Sequence, residues 1–198
     1  VSEDFIRGLS ELKNFCPHFH LSLQSGSNTV LKRMNRHYSA EDFEMSVRLI
    51  RKYFPRAGIT TDVIVGFPNE SEEEFNETYA FIEKVKFSQL HIFKYSPREG
   101  TASYKLYKDL PFEVKQERLE RLEKLNDRLK SEFIIDCCNS STPYSLLIEE
   151  KVGDYFIGYT KNYIRTYVKC DSMEDLTNEV VQVKLDVPYK DGAKGTIL

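Results

Sequence analysis

Three short polar stretches hold the residues best suited to chemistry. In the first, Gln24, Ser25 and Ser27 surround Gly26. Glycine permits a tight turn and close approach of a ligand to the backbone. The N–H groups that open the following helix could hold a carboxylate or phosphate; an ordinary turn with a serine cap is the plainer alternative. In the second, Gly66 and Glu70 follow a β-branched and apolar run, residues 59–65, interrupted by Asp62. A carboxylate there needs a partner or a polar cavity. Gly66 would let a ligand lie against the strand end around Ile64. Glu70 could accept a hydrogen bond, fix its loop, or be only a favourable charge at a helix N-terminus. In the third, Tyr95, Ser96, Arg98 and Thr101 gather hydroxyls and one guanidinium, which suits a phosphate or peptide-like group or a solvated loop. His91, mid-strand among apolar residues, reads as a satisfied core histidine.

Two further groups suit nucleic acid. Lys32, Arg33 and Arg36 follow the first stretch and could meet phosphate or decorate a helix face. Tyr159, Lys161, Asn162, Tyr163 and Arg165 interleave aromatic and basic side chains. Such a strip suits RNA, with rings stacking on bases and cations near phosphate, although aromatics also fill small barrels.

These residues need positioning by regular elements. Residues 18–23, 59–65 and 88–95 read as strands, and 2–15, 28–34, 39–54 and 71–86 as helices. Ser39 with Asp42, and Ser71 with Glu74, mark helix starts. Strands separated by helical crossovers imply a parallel sheet, and ligands bind at the carboxyl ends of such strands. Residues 110–138 form a long charged helix, with Leu119, Leu122, Leu125, Leu129 and Phe133 on one face. Beyond it, residues 145–150, 155–159, 164–169 and 179–185 alternate with turn residues and read as a small β-barrel. The fold expected is α/β: a three-strand portion of a larger parallel sheet or barrel over residues 1–138, then an all-β barrel over 139–198.

The chain has 198 residues, 40% hydrophobic and 30% charged, with a formal net charge of −3. That balance argues against nonspecific nucleic-acid binding but leaves recognition of a defined RNA open. Cys16, Cys137, Cys138 and Cys170 show no metal-ligand spacing and read as reduced thiols of a cytoplasmic protein. No leader pattern is present. The chain lacks an initiator methionine, and three strands cannot close a barrel, so a piece of a longer protein is expected. Its open half barrel could pair with a second copy. A hydrolase built on Asp62 and Glu70 lacks a nucleophile or metal cluster beside them.

The stretches from His20 to Ser27 and from Leu31 to Tyr38, then Asp62 to Glu70 and Phe93 to Thr101, resemble in order and spacing the radical S-adenosylmethionine methylthiotransferases. The stretch from Gly158 to Tyr163 resembles their RNA-binding TRAM domain. Ser22, where other branches show proline, and the Ser96-Pro97-Arg98-Glu99-Gly100-Thr101 loop are most similar to the threonylcarbamoyladenosine tRNA branch. The resemblance implies a radical S-adenosylmethionine barrel portion followed by a TRAM barrel. It implies insertion of a methylthio group at C2 of the modified adenosine beside the anticodon, with S-adenosylmethionine and 4Fe-4S clusters as cofactors and tRNA as partner. It places Gln24, Ser25, Asp62, Ile64, Gly66 and Glu70 around S-adenosylmethionine. Arg33, Arg36, Arg98, Tyr159, Lys161, Asn162, Tyr163 and Arg165 would face tRNA. The family's three-cysteine cluster motif is absent, so inactivity alone is expected, and a non-catalytic RNA-binding module or action on isopentenyladenosine are the alternatives. Asn69 stands where the family has glycine; asparagine tolerates a left-handed turn.

Overall fold

The computed structural model describes residues 1–106, 108–169 and 175–198; Cys170 lies outside them. The elements run α1 (Glu3–Ser10), β1 (His18–His20), α2 (Asn28–Arg33), α3 (Ala40–Tyr53), β2 (Gly58–Val65), α4 (Glu72–Val85), β3 (Gln89–Lys94), α5 (Ala102–Leu106) and α6 (Phe112–Cys138). Then follow β4 (Tyr144–Val152), β5 (Tyr155–Thr160), β6 (Arg165–Lys169), β7 (Val180–Tyr189) and β8 (Gly192–Ile197).

Strands β1, β2 and β3 form a parallel sheet in that order. Both capping boxes form, Ser39 with Asp42 and Ser71 with Glu74, each satisfying otherwise orphaned N–H groups at a helix start. Helix α1 ends at Ser10, five residues short of its expected end. Leu12 stays exposed, and the chain leaves the helix so that the Phe15 ring packs against Phe19 and Phe54. Strand β1 is shorter than expected because the Thr61 hydroxyl, rather than a backbone carbonyl, accepts the N–H of Leu23. Pairing resumes at Gln24, which bridges Val63 in a left-handed conformation, φ 68°.

One face of the sheet is buried. Ile59, Val63, Val65 and Leu90 lie in a core with Phe43, Val47 and Ile50 of α3, Phe75 and Ile82 of α4, and Leu122, Leu125 and Leu129 of α6. The leucine stripe of α6 thus packs on the sheet, and the end of the same helix supplies Ile134, Cys137 and Cys138 to the barrel core. Burial pushes the Cys137 thiol up to about 11, so it stays protonated and unreactive.

Strands β4-β5-β6-β8-β7 close a barrel in which β6 and β8 are parallel and every other pair is antiparallel. No strand is expected over residues 192–197, because Gly192 reads as a turn residue. The structure gives another reason for the glycine at 192: a Cβ there would lie 1.8 Å from the Arg165 carbonyl oxygen. Likewise a Cβ at Gly158 would lie 1.7 Å from the Leu147 carbonyl oxygen. Both glycines mark close crossing of neighbouring strands.

Candidate functional site

The sheet's second face carries the polar residues. Side chains alternate along a strand, so His18, His20, Thr60, Asp62, Ile64, Gln89, His91 and Phe93 share it, opposite the core. His20 is gripped at both ring nitrogens: Nδ1 lies 3.0 Å from the Thr60 hydroxyl and Nε2 3.1 Å from Asp62 Oδ2. The Ser22 hydroxyl donates to the same Asp62 oxygen at 3.1 Å. This is the partnership that a carboxylate in an apolar strand demands. His91 pairs across from Asp62 in the β2–β3 register, and its ring centroid lies 5.6 Å from that of His20. His91 is exposed on this face rather than buried in the core, correcting the expectation: in β3 it is the alternate positions Leu90 and Ile92 that face α6.

At the strand tops the expected residues separate into two sets. Asp62 and Ile64 border the open face. Ser25 is fully buried and turned inward, its hydroxyl 3.0 Å from that of Thr78 and accepting the Ser27 N–H. Gln24 is buried, with its backbone paired to Asp62 and Ile64. The Glu70 carboxylate is buried; it accepts the Gly66 N–H at 2.8 Å and the Arg118 guanidinium at 2.7 Å. Burial raises the Glu70 carboxyl, while the Gly66 N–H and Arg118 pull it back. Gly66 takes φ 70°, and the side chain that approaches it is Lys115 of α6, whose Cγ would lie 2.5 Å from a Cβ at this position. Asn69 takes φ 61°, as a glycine substitute can.

The basic residues also divide. Arg33 forms a bidentate pair with Glu74, at 2.8 and 2.6 Å. With Thr29 this holds the Glu74 carboxyl down at about 2. Arg36 and Arg98 are exposed. Lys161, Asn162 and Tyr163 meet the sheet rather than solvent alone. Lys161 Nζ donates to the Lys13 carbonyl at 2.8 Å, and Asn162 Nδ2 to the Arg56 carbonyl at 2.9 Å. Tyr163, in a left-handed conformation, stacks on His18 and on Tyr159, each with centroids 4.7 Å apart. Arg165 pairs with Asp191 and Glu150.

Burial, with the nearby His20 and His91, lowers the His18 imidazole below its ordinary value. A cavity of about 280 Å³ opens at this joint, among His18, Thr60, Gln89, Lys130, Phe133 and Tyr159. The sequence did not mark His18, His20 or Ser22 as site residues. Their signal was the alternation of polar 18, 20 and 22 with apolar 19, 21 and 23.

Among the described residues no group of His, Cys, Asp and Glu could hold a metal ion, and no helix is long and apolar enough to cross a membrane.

Residues 1–82 match the family model described as the Radical SAM superfamily. Over 97% of its length the chain is 39% identical to threonylcarbamoyladenosine tRNA methylthiotransferase MtaB of Bacillus subtilis (strain 168), covering 44% of that protein. Over 65% of its length it is 42% identical to tRNA-2-methylthio-N(6)-dimethylallyladenosine synthase of Protochlamydia amoebophila (strain UWE25), covering 29% of that protein. Of solved structures, coproporphyrinogen III oxidase (HemN) from Escherichia coli, a radical SAM enzyme, superposes with a TM-score of 0.55 at 20% identity, over 68% of this chain and 31% of that one. That likeness is one of fold. The chain spans less than half the length of the curated relatives it matches. Over nearly its whole length the chain is thus similar to radical S-adenosylmethionine tRNA methylthiotransferases.

Proposed function

We propose that this chain is part of a tRNA methylthiotransferase that places a methylthio group at C2 of N6-threonylcarbamoyladenosine. The observation that carries this reading is the identity to the Bacillus subtilis protein, which runs through the sheet, α6 and the barrel alike, over 97% of the chain. Residues 1–138 would form part of the radical domain and 139–198 its RNA-binding barrel. The identity to the Protochlamydia protein favours a second reading, the same chemistry on a dimethylallyladenosine. A non-catalytic RNA-binding module remains the reading from another class.

The donor set of the open face fits S-adenosylmethionine. Asp62 offers a carboxylate acceptor, suited to ribose hydroxyls or an ammonium group, oriented by Ser22 and His20. Ile64 and its register partner Phe93 offer apolar surface beside it, suited to an adenine ring. When bound to a reduced cluster, this cofactor supplies a 5′-deoxyadenosyl radical that abstracts hydrogen. The residues of this chain bind and orient. Ser25, Gly66 and Glu70 act one layer back, by fixing the two turns through Thr78, Lys115 and Arg118. Gln24 would hold the first turn through its backbone. Iron–sulfur ligation belongs, in this proposal, to other parts of the whole protein.

On the tRNA side, the exposed Arg36 and Arg98 are free to reach phosphate, and Arg33 would hold the end of α2 through its pair with Glu74. Tyr159, Lys161, Asn162, Tyr163 and Arg165 would set the barrel's angle to the sheet as well as face RNA. The test is nucleoside mass spectrometry of tRNA from cells lacking the parent gene. Loss of 2-methylthio-N6-threonylcarbamoyladenosine alone supports the proposal. Loss from the dimethylallyl nucleoside instead moves the substrate, and persistence of both overturns the tRNA assignment.

A further inference from the structure

We infer that the outer face of the barrel, where β5, β6 and β8 meet the β7–β8 turn, is a stacking site for single-stranded RNA, built on Tyr155, Tyr189, Lys190 and Lys194. This rests on the reading of the protein as an RNA-modifying enzyme and assigns the contact to a face that the Tyr159–Tyr163 strip does not include.

Three tyrosines form one cluster there. The ring of Tyr167 meets those of Tyr155 and Tyr189 nearly edge-on, at 85° and 83°, with centroids 6.3 and 5.2 Å apart. Tyr155 and Tyr189 lie 5.9 Å apart and only 31° from parallel. Tyr167 is 4% exposed and forms the floor, while the other two are half-buried and stand outward. The register explains the grouping: Tyr167 pairs with Ile157 on β5 and with Lys194 on β8. Among the described residues the hydroxyls of Tyr155 and Tyr189 make no hydrogen bond, so these rings are held by packing alone.

The cations of this face lie over its rings. Lys194 Nζ lies 4.4 Å from the Tyr189 centroid and 5.6 Å from that of Tyr155. Lys190 Nζ lies 5.3 Å from Tyr189 and 5.4 Å from Tyr167. Neither lysine has a carboxylate partner among the described residues. On α6, by contrast, Arg118, Arg121 and Arg128 are paired with Glu70, Glu72 and Glu83. The carboxylate within the cluster, Asp191, accepts from the Tyr167 hydroxyl at 2.5 Å and from Arg165 at 3.0 Å. Two unneutralised ammonium groups over aromatic rings, in a chain of net charge −3, suit a ligand with both π-faces and phosphates. The competing strip is already engaged: Tyr163 stacks on His18 and Tyr159, and Asn162 and Lys161 bind backbone carbonyls of the loops that lead into β2 and β1.

The test uses the whole chain and a short fluorescein-labelled oligoadenylate RNA, with anisotropy read over a series of salt concentrations. Lys190→Gln with Lys194→Gln should weaken binding about tenfold at low salt and flatten the log–log salt slope by about 1.4, since each lost phosphate contact on a single strand is worth about 0.7. Tyr189→Ala should weaken binding about tenfold at every salt concentration, the signature of lost stacking, and Tyr163→Ala should weaken it less. The lysine variant replaces no buried residue and guards against a misfolded tyrosine variant. If the wild-type chain binds and both variants bind equally well, this face is wrong while an RNA-binding barrel stands. If polyphosphate competes fully and Tyr189→Ala has no effect, the site reads charge alone and the stacking proposal is overturned. If the wild-type chain does not bind the oligonucleotide at all, both this proposal and the barrel's RNA role fall.

Discussion

The side-chain amide of Asn162 donates to the carbonyl of Arg56 at 2.9 Å, so a barrel turn holds the loop that leads into β2. The same side chain accepts from Thr160 at 2.7 Å and is 4% exposed. Next to it the Asn162 carbonyl oxygen would lie 2.3 Å from a Cβ at Gly58, so the two backbones meet closely. Asn162→Ala leaves the Arg56 carbonyl and the Thr160 hydroxyl short of a partner, at a cost of about 1–3 kcal/mol. Urea unfolding of the two chains measures it, and a joint that is only incidental would show no change.

The Glu70–Arg118 pair gives a second prediction. Both side chains are buried, 1% and 4% exposed. Glu70→Ala removes one charge, leaves the buried Arg118 only its longer 3.4 Å contact with Glu72 and the carbonyl of residue 70, and frees the Gly66 N–H, for a loss of about 3 kcal/mol. Replacing both, as Glu70→Leu with Arg118→Met, should recover much of it, because the desolvation of two charges disappears together. Equal losses in single and double variants would contradict this account.

Stability should also depend on pH through Glu74. Its carboxyl is held down from 4.5 to about 2, first by Arg33, with Thr29 and the Ser71 N–H adding to it. A group whose folded value is depressed stabilises the fold above its unfolded value and loses that contribution as pH falls. Stability should therefore decline between about pH 4.5 and 2 as this group protonates. Glu74→Gln should be less stable at neutral pH and lose this part of the acid dependence, which urea midpoints across that range would reveal.

Asp62 is the residue of the open face on which the cofactor proposal rests. In the full gene product, Asp62→Asn should weaken S-adenosylmethionine binding about tenfold, the worth of a charge-assisted hydrogen bond. Thermal unfolding should hardly move, because this side chain is outside the core. Calorimetric titration with an unchanged affinity would remove Asp62 from the site.

What was legible in the sequence follows from the range of the forces involved. The capping boxes at Ser39 and Ser71 are local, and they start α3 and α4 as expected. The leucine stripe of α6 has a helical period, and it packs on the sheet. Strand β8 was not legible, because the cause of its glycine at 192 lies on the neighbouring strand at Arg165, far away in sequence. The same holds for the strip from Tyr159 to Arg165: its composition suits RNA, yet Lys161 and Asn162 bind carbonyls far away in sequence. The open face was half legible. Asp62 stood out as a charge in an apolar strand, while His20, its partner, needed the β1–β2 register to be found.

The central claim is the identity of the modified nucleoside. The most direct measurement takes the purified full gene product, reduced and supplied with S-adenosylmethionine and a sulfur source. It is offered one tRNA bearing N6-threonylcarbamoyladenosine and another bearing dimethylallyladenosine, and the digested nucleosides are weighed by mass spectrometry. The account predicts that a methylthio group replaces hydrogen on the threonylcarbamoyl nucleoside and leaves the other unchanged. Methylthiolation of the dimethylallyl nucleoside alone would contradict it.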